Sequence, residues 1–572
     1  MMAFALALVL LVTRVLGSAG HDVVVSWWAP VAYLWHDASV VLLFAAFELL
    51  FRRHERLVWT VYAIVATYAV LNVPVERALS SPLTWTMWRA AGGPLADSIR
   101  YYATWPNTML VVVGLAVASA GPIACRRIPP RALLCAFAGC AVCGPVAAAR
   151  VDTQGRERNA FSALTTNITL GGTPVSAERD WRATALEAAR DRSLQHLRGA
   201  AAGRNVVLVS LESTGARYLG LYGAREDVAP NLTELARSGV VFDNAYAMYP
   251  ESIKGLLSIL CSVAPVFHTE AASYAAAPCR SIAAVLGERG YRTALFHSGR
   301  FAYLGMESVI RNRGYDVLAD AGDIGGARES SFGIDEPSTV ASMLRWIDAA
   351  PAGRPFFLTY LPIAGHHPYE TPEPGPFADA DEFGRYRNAL HYGDAALGAL
   401  RRGLQARGLD RDTLWIVLGD HGEAFGQHDG NYGHTFQLYD ENVRVPYVIA
   451  APGAARAAIR AGQVVSLLDT APTLLDLLAL PPQPAYEGHS MLDGQARAAL
   501  FFTDYSLPLV GLRDGPRKIV HDLRSGRTRW FDVARDPEET ADLSEAHTDE
   551  VRRYRDLLQG WAGRGQTRAA AR

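Results

Sequence analysis

Three short runs between residues 211 and 423 carry side chains suited to chemistry. They are Leu211-Glu212-Ser213, Gly365-His366-His367-Pro368-Tyr369 and Gly419-Asp420-His421-Gly422-Glu423. Carboxylates together with imidazoles form a ligand set for a divalent cation such as zinc or manganese. A single Glu or His is usually a solvated or hydrogen-bonded residue. These runs gain a joint reading because each follows an apolar stretch with strand character, at 205–210, 355–360 and 413–418.

Those stretches belong to a longer alternation. From residue 204, short apolar strands, including 292–296, alternate with amphipathic helices near 230–238, 253–262, 281–289, 336–349 and 384–407. This predicts an α/β domain with a mostly parallel central sheet covered on both faces. In such sheets the ligand site lies at the carboxyl ends of the strands. Glu212, His366, Asp420 and His421 are therefore expected at one edge of one sheet.

A resemblance then becomes specific. Asn205-Val-Val-Leu-Val-Ser-Leu-Glu212, Leu219-Gly-Leu-Tyr-Gly223, Ala229-Pro-Asn-Leu-Thr-Glu-Leu-Ala236 and Phe242-Asp-Asn-Ala-Tyr246 resemble the start of the sulfatase / alkaline phosphatase-like superfamily domain. Leu418-Gly-Asp-His-Gly-Glu423 and Leu438-Tyr-Asp-Glu-Asn-Val-Arg-Val-Pro446 resemble its second metal motif. Leu467-Leu-Asp-Thr-Ala-Pro-Thr-Leu-Leu-Asp476, Gly488-His-Ser-Met-Leu492 and the run from Trp530 to Thr540 resemble later landmarks, in family order. The family's nucleophile sits a short step after the Asn-Ala-Tyr segment, at a helix start. That position is Ser252, in Tyr249-Pro-Glu-Ser-Ile-Lys-Gly255. A helix N-terminus offers free N–H groups to an anion, and an N-cap is the commonplace role for Ser there.

Sulfatases proper oxidise Cys or Ser at this position to formylglycine, in a pattern wanting Pro two residues on and Arg four residues on. Lys254 and Leu256 stand there instead, and Val263 and Pro265 likewise exclude Cys261. The Asp-Asp pair of sulfatases is replaced by Glu212 followed by Ser213. A single Glu, an unmodified hydroxyl and a membrane domain look instead like lipoteichoic acid synthases and lipid A phosphoethanolamine transferases. The usual nucleophile of those enzymes is Thr, so Ser252 is a mild departure. The resemblance implies that Glu212, Ser252, Asp420 and His421 bind a divalent metal, zinc or manganese first, with calcium or magnesium left open. It implies that Ser252 is the nucleophile and that His366 and His434 contact the transferred group. A phosphoethanolamine- or phosphoglycerol-type group would pass from a membrane lipid donor to an envelope lipid or glycan acceptor through a covalent Ser252 intermediate. The alternative is hydrolysis by a sulfatase or phosphodiesterase. A non-catalytic tethered binding protein is disfavoured, because all four metal-site residues stand together.

The first quarter of the chain is different. Half of the 572 residues are hydrophobic and a fifth charged, unevenly mixed, and the net charge of −2 gives no pull toward nucleic acid. Apolar stretches at 2–18, 27–51, 57–76, 106–124 and 131–149 each approach the ~20 residues that cross a bilayer. A cleaved signal peptide is disfavoured by Arg14, by the missing basic start and by the spans that follow. Basic clusters at Arg52-Arg53-His54-Glu55-Arg56 and at Arg126, Arg127 and Arg131 orient the set. Five crossings from an internal N-terminus put everything after Arg150 outside, as in a multi-pass inner-membrane protein with a periplasmic domain. Trp85, Trp88, Tyr101, Tyr102 and Trp105 suit an interfacial belt. The expected organisation is a transmembrane bundle over 1–150, a connecting segment over 151–203 with a helical stretch near 176–198, a catalytic domain over 204–545, and a helix and tail over 546–572. The tail from Gly563 reads as disordered. Asn167-Ile168-Thr169 fits a glycosylation pattern but carries no weight. Cys125, Cys135, Cys140 and Cys143 read as packing residues, whereas Cys261 and Cys279 could pair in an oxidising compartment.

Overall fold

The computed structural model describes residues 2–90, 101–125, 130–165, 194–267, 271–275, 277, 279–328, 332–349, 353–451 and 458–570. Arg126 and Arg127, the Asn167 triplet and residues 176–193 of the expected connecting helix lie outside the described residues.

All five apolar stretches form helices: α1 (Met2–Ser18), α2 (Ala29–Leu50), α3 (Glu55–Leu79), α4 (Trp105–Ala124) and α5 (Pro130–Arg150). Among the described residues, four are long and apolar enough to cross a membrane: α2, α3, α4 and Leu133–Arg150 within α5. α1 has 17 residues, or about 26 Å of helix, and falls short of that length. Its apolar side chains, such as Leu6, Val9 and Leu10, pack against Val41 and Phe44 of α2 and Val70 of α3.

Arg14, the anomaly in the first apolar run, is a docking residue. Its guanidinium is 8% exposed and lies 3.0 Å from Asp37 of α2 and 3.5 Å from Glu76 of α3. It also donates to the carbonyl of Arg158 at 3.0 Å, just beyond α5. Asn159 Nδ2 donates to the other Asp37 oxygen at 3.0 Å. Arg158 in turn donates to the carbonyl and hydroxyl of Ser506, both at 2.7 Å. The Ser81 and Ser506 hydroxyls meet at 2.6 Å. The helical bundle is thus bonded to the domain that follows it.

The eight longer strands of the central sheet are β1 (Asn205–Leu211), β2 (Val240–Tyr246), β3 (Arg292–His297), β4 (Val317–Ala319), β5 (Phe356–Leu361), β6 (Thr413–Gly419), β7 (Tyr447–Ala450) and β8 (Ile459–Ser466). Their order is β8-β2-β7-β6-β1-β5-β3-β4, with the short strand Arg444–Val445 beside β2. β1 lies between β5 and β6 and runs parallel to both. β3 is parallel to β5, and β7 is the antiparallel exception between β2 and β6. All seven residues of β1 are buried, which explains a run of Val and Leu without alternation. One hydrophobic cluster fills each face of the sheet.

A second, antiparallel sheet was not foreseen. β9 (Ala499–Thr503), β10 (Leu509–Asp514), β11 (Arg517–Asp522) and β12 (Thr528–Asp532) form a meander in chain order. β10, β11 and β12 set charged residues beside short apolar runs, and Lys518 and Arg513 are buried as partners of the fold rather than exposed. The last helix, Thr548–Ala570, places Tyr554, Leu558 and Trp561 on this sheet. It extends through Gly563 to Ala570, where a disordered tail was expected.

Candidate metal-dependent active site

The strand order collects the chemistry at one edge. Glu212 follows β1, Asp420 and His421 follow β6, the loop with His366 follows β5, and His297 ends β3. These four strands are neighbours, so the side chains converge at their carboxyl ends. Ser252 arrives from the other side. It opens helix α6 (Ser252–Cys261), whose Ile253, Leu256, Leu257 and Leu260 are buried in the core beneath the sheet.

The turn after β1 is strained in a useful way. Ser213 has φ of +51°, a left-handed conformation uncommon for a residue with a side chain. This turn aims the Ser213 N–H at Asp420 Oδ1, 2.9 Å away, and the His421 N–H reaches the same oxygen at 2.7 Å. Oδ1 is thereby engaged, and Oδ2 lies 3.6 Å from His421 Nε2. His421 Nδ1 donates to the Gly422 carbonyl at 2.9 Å, which leaves Nε2 as the ligand nitrogen. Ser252 Oγ donates to Glu212 Oε2 at 2.8 Å and stands 3.3 Å from His421 Nε2. Glu212 Oε1 is 3.6 Å from the same nitrogen.

These separations bear on a metal. Ligand atoms ~2.1 Å from a tetrahedral ion stand about 3.4 Å apart. The observed separations of 2.8, 3.3, 3.6 and 3.6 Å bracket that value. Glu212, Asp420 and His421 are all buried, and each offers a ligand atom within 4.8 Å of the others. The charges say the same. Burial and the neighbouring Glu212 carboxylate push the Asp420 carboxyl up to about 7. Burial opposes charge on His421, but the Asp420 and Glu212 carboxylates overcome it and raise the imidazole to about 10. Burial would raise Glu212 too, yet hydrogen bonding and attraction to His421 hold it below the usual carboxylate range. Two buried acids that lean this heavily on one imidazole form a pocket suited to a cation.

The helix cap differs from expectation. Glu251, not Ser252, is the N-cap of α6, and its carboxylate accepts from the N–H groups of Ile253 and Lys254, both at 3.3 Å. Those N–H groups are engaged rather than free, and the Ser252 hydroxyl is released from capping to face Glu212. Lys254, noted in the sequence for what it replaces, is 3.2 Å from Asp504 and lies over the Tyr249 ring.

Two more histidines flank the cluster. His434 Nδ1 is 3.0 Å from Glu423, and its ring centroid is 4.1 Å from that of His421. Burial works upward on Glu423, but the charge of His434 and its hydrogen bond hold the carboxyl below its usual range. His366 Nδ1 donates to the His367 carbonyl at 2.6 Å. Burial lowers its pKa, so a neutral ring with a free Nε2 is favoured. Gly365 makes that loop fit: a Cβ there would sit 2.1 Å from the Glu212 carbonyl oxygen.

Glu212, Ser252, His366 and His434 all line one cavity of 580 Å³. His297 lines it too, buried, with Nδ1 donating to the Leu361 carbonyl at 2.9 Å. Sequence reasoning missed His297, Glu251 and Glu423. The strand-end argument applied to 292–296 would have found the first. Tyr102, expected in an interfacial belt, instead lines the cavity and stacks on His367 at 5.6 Å. Trp85, Trp88 and Trp105 remain exposed, as that belt requires. Cys261, at the end of α6, is disulfide-bonded to Cys279.

Residues 204–480 match the sulfatase family model. The lipoteichoic acid synthase-like protein YvgJ of Bacillus subtilis is 24% identical over 326 residues, covering 52% of this chain and 51% of that protein. An arylsulfatase of Clostridium perfringens is 23% identical over 453 residues, covering 62% of this chain and 93% of that enzyme. The crystal structure of the lipoteichoic acid synthase LtaP from Listeria monocytogenes shares the fold, with a TM-score of 0.51 at 17% identity over 65% of this chain and 93% of that one. The chain spans about half the length of the lipoteichoic acid synthase relatives it matches.

Proposed function

We propose that this membrane-anchored chain, whose residues 204–480 form a domain of the sulfatase superfamily, is a metal-dependent enzyme that transfers a phospho-group from a lipid donor to an envelope acceptor. The group is of phosphoglycerol or phosphoethanolamine type. The observation that carries the reading is the Ser252 hydroxyl, 2.8 Å from Glu212 and 3.3 Å from His421 inside a cation-binding arrangement. Lys254 and Leu256 keep it outside the formylglycine pattern, which favours phosphate over sulfate.

In this reading Glu212, Ser252, Asp420 and His421 hold a divalent ion, zinc or manganese by the character of the ligands. When bound, that ion lowers the pKa of the Ser252 hydroxyl and offsets the negative charge that develops on phosphorus oxygens. Ser252 Oγ passes its proton to the Glu212 carboxylate it already donates to and attacks phosphorus. The bond to the lipid alkoxide breaks, and a phospho-serine remains. His434, oriented by Glu423, faces the transferred group and protonates the departing oxygen. An acceptor hydroxyl then attacks the phospho-serine and loses its proton to Nε2 of neutral His366, while the bond from phosphorus to Ser252 Oγ breaks and Oγ takes its proton back from Glu212. Water in the acceptor's place would give hydrolysis.

Domain limits of 1–150, 151–203, 204–545 and 546–572 fit this division of labour. So does a topology of five crossings with the catalytic domain on the periplasmic side, in which α1 completes the set. The exposed Arg52 and Arg53 between α2 and α3 would then mark the cytoplasmic face.

The test is intact-mass analysis of the full-length protein after incubation with lipid extracts. A mass increment mapped to Ser252 supports the reading and identifies the group. A formylglycine at 252 would instead establish a sulfatase.

A further inference from the structure

The cavity at Ser252 does not close within the catalytic domain. At one end lie Glu212, Ser252, His366 and His434; at the other lie Leu71, Pro74, Val75 and Ala78 of α3 and Val111 of α4. The α3 residues recur at i, i+3, i+4 and i+7, so they form one stripe of the helix turned to the cavity. Both helices are long and apolar enough to cross a membrane. The junction is fixed from the α4 side as well, since Tyr102, three residues before α4, stacks on His367 beside His366.

We propose that the apolar arm of this cavity, between α3 and α4, holds the acyl chains of a glycerophospholipid donor whose phosphate ester lies at Ser252. The membrane helices are then part of the active site rather than a tether. A cavity with charged and imidazole groups at one end and Leu, Pro, Val and Ala at the other matches a ligand with the same division. An opening bounded by membrane helices exchanges one hydrocarbon surrounding for another, so acyl chains enter without the cost of being drawn into water. The polar end is then reached from the lipid side, and short esters lacking a tail use only half of the cavity. The inference rests on the phosphate-ester reading of Ser252 and adds where the donor lies.

The experiment uses the full-length protein in nanodiscs of dioleoyl phosphatidylethanolamine and dioleoyl phosphatidylglycerol. A fraction of each lipid carries a photoactivatable diazirine in one acyl chain. Tyr303, Leu304, Met306 and Phe436 line the cavity but belong to the catalytic domain. Crosslinks in S252A to peptides containing them are expected, and should compete with unlabelled lipid. In V75W and A78W, crosslinking should drop at least tenfold. So should the ratio of lipid-derived Ser252 modification to hydrolysis of bis(4-nitrophenyl) phosphate, a diester without a tail. V111W, from the opposite wall, should act likewise. Labelling that spares both the Leu71, Pro74, Val75 and Ala78 stripe and the cavity residues of the catalytic domain, or a ratio unchanged in all three variants, would overturn the subsite. Crosslinking into the cavity with no lipid-derived mass on wild-type Ser252 would leave the subsite standing and remove the transferase reading.

Discussion

Two clusters of buried charge lie on this chain, and they are balanced differently. At the junction of bundle and catalytic domain, Arg14 meets Asp37 and Glu76, with backbone carbonyls and Asn159 taking up the remaining capacity. At the candidate active site, Glu212 and Asp420 share His421 and the Ser252 hydroxyl. The first cluster supplies its own cation in a guanidinium that never leaves. The second sets Asp420 beside Glu212 at a cost borne by Asp420, and that crowding of acid groups suits it to a metal. Burial of charge therefore marks architecture in one place and function in the other, and a cation that cannot give up its proton, unlike the His421 imidazole, tells them apart.

The comparison can be broken in four ways. The largest effect should come from Ser252→Ala, which removes the nucleophile while sparing the carboxylates. Turnover of a phosphate diester should fall by at least ~10^4-fold, with metal content by elemental analysis unchanged. Near-wild-type turnover would remove Ser252 from the mechanism. Next is Arg14→Leu, which strands Asp37 in a buried position and should cost roughly 3–5 kcal/mol. Thermal unfolding of detergent-solubilised protein would read it, and the paired change Arg14→Met with Asp37→Leu should recover most of the loss. A single variant as stable as wild type would show that the junction does not depend on the ion pair.

Glu423→Gln tests support for the active site. It leaves His434 in place but weakens its orientation, so kcat/KM should fall about 10- to 100-fold with little change in unfolding temperature. A matching fall in stability would make Glu423 a structural residue only. The smallest effect concerns the acids themselves. Asp420 is raised to about 7 in the folded, metal-free chain, against about 3.9 when unfolded. Between those values the folded state binds more protons than the unfolded state. Metal-free stability should therefore fall as pH rises through that window. Asp420→Asn should flatten the slope and stabilise the metal-free protein by roughly 1–3 kcal/mol near neutral pH. An unchanged pH slope in thermal unfolding would mean that the Asp420 carboxyl does not burden the fold.

Much of this site was legible beforehand because strand ends are local. The apolar runs at 205–210, 355–360 and 413–418 form β1, β5 and β6, and Glu212, His366 and Asp420-His421 stand where those strands stop. Ser252 came from family landmarks rather than local pattern, and its freedom from capping was invisible because it depends on Glu251 taking the N-cap role. The antiparallel sheet β9–β12 escaped because β10, β11 and β12 mix charges with apolar residues, and charges there are buried against tertiary partners such as Lys518 on Asp440.

The sequence by itself determined the division into an apolar bundle and an α/β domain, since hydrophobic period and run length depend only on near neighbours. It also determined which residue types could ligate a cation. Tertiary structure alone decided that β6, β1, β5 and β3 are adjacent, and that adjacency turns five side chains from four strand ends into one site. It alone decided that Arg14 is a junction residue and that α3 and α4 wall the cavity at Ser252. The reason is physical. Propensity acts over a few residues, whereas the pairing of a buried charge and the closure of a cavity bring together groups more than a hundred residues apart.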